Sequence, residues 1–257
     1  MKYDVVEEYK EYLKKIYRPG TARTYTNRLE LLLKDQSVLN FDELLDVDKM
    51  IQHLSEIKCK NEFSQSKNAF LKFIEFQHIT LNQKQLNKIK QLEKNTHKKY
   101  RKKKSADYKT VDKTIKHIRN QKLKLSYQMM MATGLRVFEL SQIRRDDCII
   151  TNDFILFYFT GKGGEEENVI ILKSENKLLY ENLEELINNT EFSRKVFYSS
   201  NYLQKKAKEY NFQCHDLRRI YSKLEYKKTK SKKEVQEKMR HSNEKTTEIY
   251  LKSNIQM

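Results

Sequence analysis

Hydrophobic residues in the first third of the chain recur at helical spacing. Between residues 4 and 91 apolar side chains fall three or four positions apart, as in Val5, Val6, Tyr9, Leu13 and Ile16. No run of strict alternation is long enough for a strand, so the region is predicted to be all helical. The richest apolar face lies around residues 69–76, where the aromatic side chains are expected to form core rather than a base-stacking platform.

Turn and capping residues divide this region into separate helices. Pro19-Gly20 is predicted to end the first helix, and Thr21 to cap a second helix that runs through Lys34. Asp46 or Asp48 is predicted to open a third helix. We therefore expect a helical domain over residues 1–93.

The pattern of the second half is mixed. Helices are predicted near 107–119 and 122–132, followed by a stop at Gly134 and a short helix from Arg136. Two β-branched or aromatic runs, 154–160 and 168–172, then bracket Gly161-Lys162-Gly163-Gly164, which indicates a hairpin. Helical spacing returns to the end of the chain, with caps expected at Ser174 and Ser231. The predicted fold is mainly α with a small antiparallel β-sheet.

A basic segment separates the two halves. Residues 94–104, KNTHKKYRKKK, hold seven Lys or Arg residues, no acid and no aliphatic side chain, so they cannot pack into a core. We predict a linker over 94–105, between domains at 1–93 and 106–257. Such a run is either a solvated linker or one that crosses a phosphate backbone, and both can hold together. The candidate DNA-binding residues are Lys98, Lys99, Arg101, Lys102, Lys103 and Lys104.

Charge and cysteine content narrow the class of protein. Lys and Arg total 52 against 35 Asp and Glu, a formal charge of +17, which favours a nucleic acid partner. The opening MKYDVVEEYK shows no apolar signal core, lipidation signal or twin arginine, and no stretch suits a bilayer, so no membrane partner is expected. The three separated cysteines form no CxxC pair and fit a reducing cytoplasm, where we expect the protein to act.

Three separated segments place strong phosphate ligands in structured settings. They are ATGLRVFEL with Arg136, HDLRR with His215 and Arg218, and RHSNEKTTEIY with His241 and Tyr250. Their combination resembles the tyrosine recombinase or integrase family, in which these segments supply two arginines, two histidines (the second sometimes Trp) and a nucleophilic tyrosine. The resemblance implies a tyrosine recombinase catalytic domain preceded by a helical core-binding (SAM-like) DNA-binding domain.

Two further residues match the family's pattern. Glu139 follows the Gly-Leu-Arg triplet by three residues, where the family's acid supports the arginine. Lys162 corresponds to the family's hairpin lysine, the general acid that protonates the departing 5'-oxygen. Guanidinium pairs suit the charge on an attacked phosphate, and a phenol is both a serviceable attacker and a good leaving group. With this much cationic help the resemblance implies no metal, no ATP and no cofactor.

By this resemblance the substrate is double-stranded DNA with inverted half-sites. Four copies would assemble across two duplexes, whereas the free protein would be a monomer. Each strand would be cleaved and rejoined through a 3'-phosphotyrosine, and the two duplexes would pass through a Holliday junction. Accessory proteins and a bacterial, archaeal or phage origin fit the same class. We further expect Arg136→Ala and Arg218→Ala to abolish cleavage with little loss of folding, because ligand-facing arginines usually matter little to stability.

Two departures and three rivals complete the picture. Arg240 stands where the family commonly has Gly, and could crowd the phosphate or add a contact. The chain stops seven residues after Tyr250, so a stable tetramer without DNA is not expected. It starts directly with the predicted core-binding helices, so a simple recombinase of the Xer or Cre kind is expected to be the closer analogy. The rivals are a catalytically silent DNA-binding regulator, a type IB topoisomerase, and a metal-dependent nuclease using Asp146-Asp147, whose adjacent side chains diverge.

Overall fold

The computed structural model describes residues 2–33, 46–97, 107–161, 164–241 and 243–252. The chain divides into two compact units, residues 1–102 and residues 103–257, here called the first unit and the second unit. Within the described residues no helix is long and apolar enough to cross a membrane.

Helices make up the described part of the first unit. They are α1 (Lys2–Ile16), α2 (Pro19–Leu32), α3 (Val47–Glu56), α4 (Lys60–Phe76) and α5 (Gln83–Lys94). The aromatic face of α4 is core, as predicted, since Phe63, Phe70 and Phe73 are fully buried. Each such side chain contributes about 2 kcal/mol of burial free energy. The hydroxyl of Tyr9, also buried, donates to the Ala69 carbonyl at 2.8 Å.

The predicted start of α2 was wrong. Thr21 does not cap the helix, because Pro19 is already its first residue and Arg18 holds the N-cap position. Proline suits that position, since its fixed φ is helical and its missing N–H has no intrahelical partner there. Asp46 does cap α3, accepting from the Lys49 N–H at 2.9 Å.

The first four residues of the predicted linker, 94–97, are hydrogen-bonded to the first unit. Lys94 is the last residue of α5, and His97 still pairs with the first unit. The His97 N–H donates to the Lys58 carbonyl at 2.9 Å, and the Lys60 N–H donates to the His97 carbonyl at 3.0 Å. Backbone hydrogen bonds therefore hold residues 94–97, which a side-chain pattern cannot report. The six candidate DNA-binding residues, from Lys98 to Lys104, lie outside the described residues.

The second unit surrounds one small sheet with helices. Its helices are α6 (Tyr108–Lys116), α7 (Gln121–Thr133), α8 (Val137–Gln142), α9 (Lys177–Asn188), α10 (Ser200–Glu209), α11 (Cys214–Thr229), α12 (Lys232–Lys238) and α13 (Glu244–Leu251). Buried side chains lie nearly all round α7, as expected of a central helix. The mainly helical fold with a small antiparallel sheet is thus confirmed.

The sheet is a three-stranded antiparallel meander, β1 (Cys148–Ile150), β2 (Phe154–Thr160) and β3 (Glu166–Leu172). The predicted hairpin is its β2–β3 pair, and the bounds of β2 match the prediction. β3 begins two residues early, because the polar Glu166 and Glu167 still pair with Thr160 and Phe159. β1 was not predicted, since three residues give too little alternation to detect.

Two predicted helix caps had different outcomes. Ser174 does not cap α9, because Asn176 does so, accepting from the Leu179 N–H at 3.1 Å. Both side-chain types cap helices well, so composition alone could not choose between them. Ser231 caps α12 as predicted, accepting from the Glu234 N–H at 3.3 Å.

Candidate active site

The turn between α7 and α8 places the first arginine. Gly134 ends α7 in the left-handed conformation, φ 66°, and Arg136 holds the N-cap position of α8. The buried Glu139 carboxylate accepts from the Arg136 backbone N–H at 2.8 Å and also pairs with the Arg136 guanidinium. One acid therefore closes the first turn of α8 and orients the arginine, which is the support expected of Glu139.

The second arginine is buried entirely. Arg218 on α11 is 0% exposed, and its two terminal nitrogens donate to the carbonyl oxygens of Gly134 and Met239. Burial, together with nearby Arg136, lowers the pKa of Arg218 to about 10. It remains charged at neutral pH. This burial revises the expectation for Arg218→Ala, because removing the side chain leaves two carbonyls without their donors.

Tyr250 lies between the two histidines. Its hydroxyl is 2.7 Å from His215 Nε2, close enough for a direct proton transfer. The His215 and His241 rings both meet the Tyr250 ring edge to face, with centroids 5.0 and 4.9 Å away. The Arg218 guanidinium lies 6.0 Å from the centre of the same ring. A candidate nucleophile, its base and a cation thus share one cluster.

His241 is held neutral by its surroundings. Its Nδ1 lies 2.9 Å from the hydroxyl of Thr247, a fully buried residue of α13. Burial, and then the positive charges of Arg218 and Arg136, lower the pKa of His241 to about 4. Nothing in the sequence singled out Thr247, because a threonine inside a helix is usually a packing residue.

Arg240 packs against the β2–β3 hairpin. Its backbone is left-handed, φ 52°, which accounts for a glycine being suited to this position. The side chain crosses the Phe159 ring at 5.3 Å, and its Nε lies 2.8 Å from Glu167 Oε2. That contact is an ion pair rather than an aligned hydrogen bond. Glu167, like Thr247, was not among the predicted site residues.

Five of the six predicted catalytic residues converge. Arg136, His215 and Arg218 line one cleft of about 290 Å³, while Tyr250 and His241 join them through the ring contacts above. The sixth, Lys162, lies outside the described residues, which resume at Gly164 after Gly161. The chain therefore gathers its candidate phosphate ligands from α8, α11, the α12–α13 turn and α13.

The candidate metal pair has another use. Asp146 accepts from the Ser193 N–H at 2.8 Å, whereas Asp147 accepts from the Arg144 N–H at 2.7 Å. The two carboxylates therefore serve separate loop contacts. Across the described residues no group of three His, Cys, Asp or Glu side chains is placed to hold a metal ion.

The fold and the clustered tyrosine, histidines and arginines agree with the class that the sequence motifs resemble, and comparison with known proteins gives the family. The model of the phage integrase family matches residues 80–257. The chain belongs to the phage integrase family. No match to it is found among curated proteins.

Solved structures share the fold at low identity. A lambda integrase dimer bound to a COC' core site has a TM-score of 0.65 and 15% identity, over 97% of this chain and 94% of that one. XerH recombinase bound to a palindromic difH substrate gives 0.62 and 17%, over 89% and 75%. The Tn1549 transposon integrase in complex with circular intermediate DNA gives 0.61 and 17%, over 96% and 94%. These likenesses establish the tyrosine recombinase fold.

Proposed function

We propose that the chain is a site-specific DNA recombinase that cleaves and rejoins DNA through a 3'-phosphotyrosine. The observation that carries the proposal is the 2.7 Å contact between the Tyr250 hydroxyl and His215 Nε2, within a cluster that also holds Arg136, Arg218 and His241. One nucleophile, one base and two guanidinium groups are what attack on a phosphodiester requires.

The first step makes the covalent link. His215 accepts the Tyr250 proton while the phenolate oxygen attacks the scissile phosphorus. The bond from phosphorus to the 5'-oxygen breaks, leaving a 3'-phosphotyrosine and a 5'-hydroxyl. In the second step a 5'-hydroxyl from the partner duplex attacks the same phosphorus, and the proton returns to the departing Tyr250 oxygen. The phosphotyrosine bond conserves the energy of the phosphodiester bond that was cleaved, so the reaction needs no ATP.

The arginines and His241 stabilise the transition state in different ways. Arg136, whose guanidinium is partly exposed, grips the non-bridging oxygens, and Arg218 adds charge from beneath Tyr250. His241 is neutral at pH 7, so it acts by hydrogen bonding to the phosphate or the Tyr250 oxygen rather than by charge. Lys162 would protonate the 5'-oxygen, a role that rests on its correspondence to the family's hairpin lysine.

The basic residues serve the DNA backbone. A formal charge of +17 and the six residues Lys98, Lys99, Arg101, Lys102, Lys103 and Lys104 suit sequence-independent phosphate contacts. In this proposal residues 1–93 belong to the core-binding domain and 106–257 to the catalytic domain, and 94–105, whose first four residues bond to the first unit, connect the two. Inverted half-sites would bind monomers that assemble as a tetramer on DNA in the cytoplasm, with accessory proteins as further partners. One related structure is a lambda integrase tetramer bound to a Holliday junction.

A suicide-substrate assay tests the proposal. Nicked duplexes carrying a candidate recombination site would be incubated in EDTA with wild type and Tyr250→Phe, then run on a denaturing protein gel. We expect a slow-migrating adduct with wild type, none with Tyr250→Phe, and an undiminished adduct with Tyr226→Phe, a matched tyrosine on α11. DNA binding without any wild-type adduct would instead favour a catalytically silent DNA-binding regulator.

A further inference from the structure

Arg240 joins three segments that each carry a proposed catalytic residue. Its guanidinium pairs with Glu167 of β3 at 2.8 Å and approaches Glu139, the partner of Arg136, at 3.7 Å. Arg240 itself directly precedes His241. The side chain is thus a cross-link between the hairpin, the first turn of α8 and the α12–α13 turn.

The hairpin is shaped to receive this side chain. Phe159 and Glu167 are direct cross-strand partners, so both side chains lie on the same face, under the Arg240 guanidinium. The Glu167 carboxylate also rests on Gly161, where an added Cβ would lie 2.3 Å from Oε1. Glycine at 161 therefore lets the acid lie against the backbone at the end of β2.

Burying these charged side chains costs free energy, which a role in the site would account for. The Arg240 and Glu139 side chains are 15% and 2% exposed, so both charges lose most of their hydration. Replacing such a network by apolar residues is often neutral or stabilising, so fold stability alone gives weak reason for it. The left-handed backbone of Arg240 adds a further cost, because a residue with a side chain is strained in that conformation.

We propose that Arg240 is a positioning residue that locks the β2–β3 hairpin to the turn carrying His241 and to the acid behind Arg136. The hairpin, whose turn contains the proposed general acid Lys162, would thereby be fixed in place beside the other proposed catalytic residues. This inference rests on the proposed function. The competing role, a third phosphate-binding guanidinium, fits the geometry less well because two carboxylates already engage Arg240.

Sulfur substitution separates the two roles. A bridging 5'-sulfur leaves as a thiolate without protonation, so it bypasses whatever delivers the proton. On the ordinary 5'-oxygen substrate we expect Arg240→Gly and Glu167→Gln each to slow adduct formation about 10-fold to 100-fold, as misplacement of a catalytic group does. On the 5'-sulfur substrate both variants should come within about threefold of wild type, because the phosphate contacts remain.

The choice of variants separates a loss of positioning from a loss of folding. Glycine accepts the left-handed backbone, so Arg240→Gly removes the ion pairs without adding strain. Lys238→Met breaks a different ion pair of the same turn, at 2.5 Å to the buried Glu225, and should slow neither substrate selectively. The double variant Arg240→Gly/Glu167→Gln should be no slower than Arg240→Gly alone, since Arg240→Gly already removes the ion pair with Glu167.

The outcomes are distinguishable. If wild type forms no adduct with either substrate, the proposed function fails and the inference fails with it. If wild type cleaves and Arg240→Gly cleaves the 5'-oxygen substrate equally fast, the inference alone is overturned. Equal slowing of Arg240→Gly on oxygen and sulfur substrates would also overturn it, in favour of a direct phosphate contact by Arg240.

Discussion

The two units treat charged side chains differently. Among the described residues of the first unit no charged side chain is buried, and its ion pairs, such as Lys14 with Glu11, lie on helix surfaces. The described part of the second unit buries four charged side chains, Glu139, Asp216, Arg218 and Glu225, together with the neutral His241. Both units are helical and of similar composition, so helical packing does not explain the difference.

The contrast indicates where the chain holds its chemistry. Burying a charge costs free energy unless partners replace its water, whereas an exposed pair contributes about 0–1 kcal/mol either way. In the second unit Glu139, Arg218 and His241 line or adjoin the Tyr250 cluster. Asp216 instead pairs with Arg219, and Glu225 with Lys238. Under the proposed function, the second unit is therefore where the transition state would be stabilised.

The largest expected effect concerns Arg218. We expect Arg218→Met to lower the free energy of unfolding by about 3–5 kcal/mol, because the Gly134 and Met239 carbonyls lose their donors. Lys67→Met in the first unit breaks a less buried pair with Glu93 and should cost under about 1 kcal/mol. Denaturant unfolding of both variants checks this. Equal losses would erase the contrast between the units.

The pH dependence of stability should come from His241. Its folded pKa, about 4, lies below the unfolded value, so the unfolded chain binds the extra proton between those pKa values. Stability is therefore full above about pH 6.5, and roughly 2–3 kcal/mol is lost as pH falls towards 4. We expect His241→Asn to flatten this slope in denaturant titrations, while His117→Asn, at an exposed site, leaves it intact. An unchanged slope in His241→Asn would contradict the assignment.

A glycine in each unit gives the smallest test. Gly134→Ala should cost about 1–2 kcal/mol, because its backbone is left-handed and an added Cβ would lie 2.4 Å from the Tyr221 ring. Gly20→Ala in the first unit meets nothing within 4 Å and should change stability by under about 0.5 kcal/mol. Thermal unfolding distinguishes them, and a neutral Gly134→Ala would show that the turn below Arg218 can yield.

Periodicity and local motifs predicted most of the fold. The spacing of apolar residues indicated the helices, and the Gly-rich turn between two β-branched runs indicated the hairpin, whose β2 bounds match. Errors fell where backbone hydrogen bonds decide, as at Pro19, Asn176 and residues 94–97. Several residue types satisfy such positions equally well, so the side-chain pattern does not choose among them.

The site was predictable only as far as its motifs extend. Arg136, His215, Arg218, His241 and Tyr250 were singled out by their neighbours in the chain, and the structure brings them together. The supporting side chains Glu167 and Thr247 stand in segments with no distinguishing motif. Their roles arise from tertiary contacts. The burial of Arg218 also arises from tertiary contacts, and it changes the stability that we expect of the Arg218→Ala variant from near normal to strongly reduced.

The central claim is that Tyr250 becomes covalently attached to DNA. The most direct measurement is to digest the trapped adduct with trypsin and nuclease, and to sequence the nucleotide-bearing peptide by mass spectrometry. The account predicts a nucleotide remnant on the peptide TTEIYLK, residues 246–252, located on Tyr250. A remnant on any other residue, or an adduct that persists in Tyr250→Phe, would contradict it.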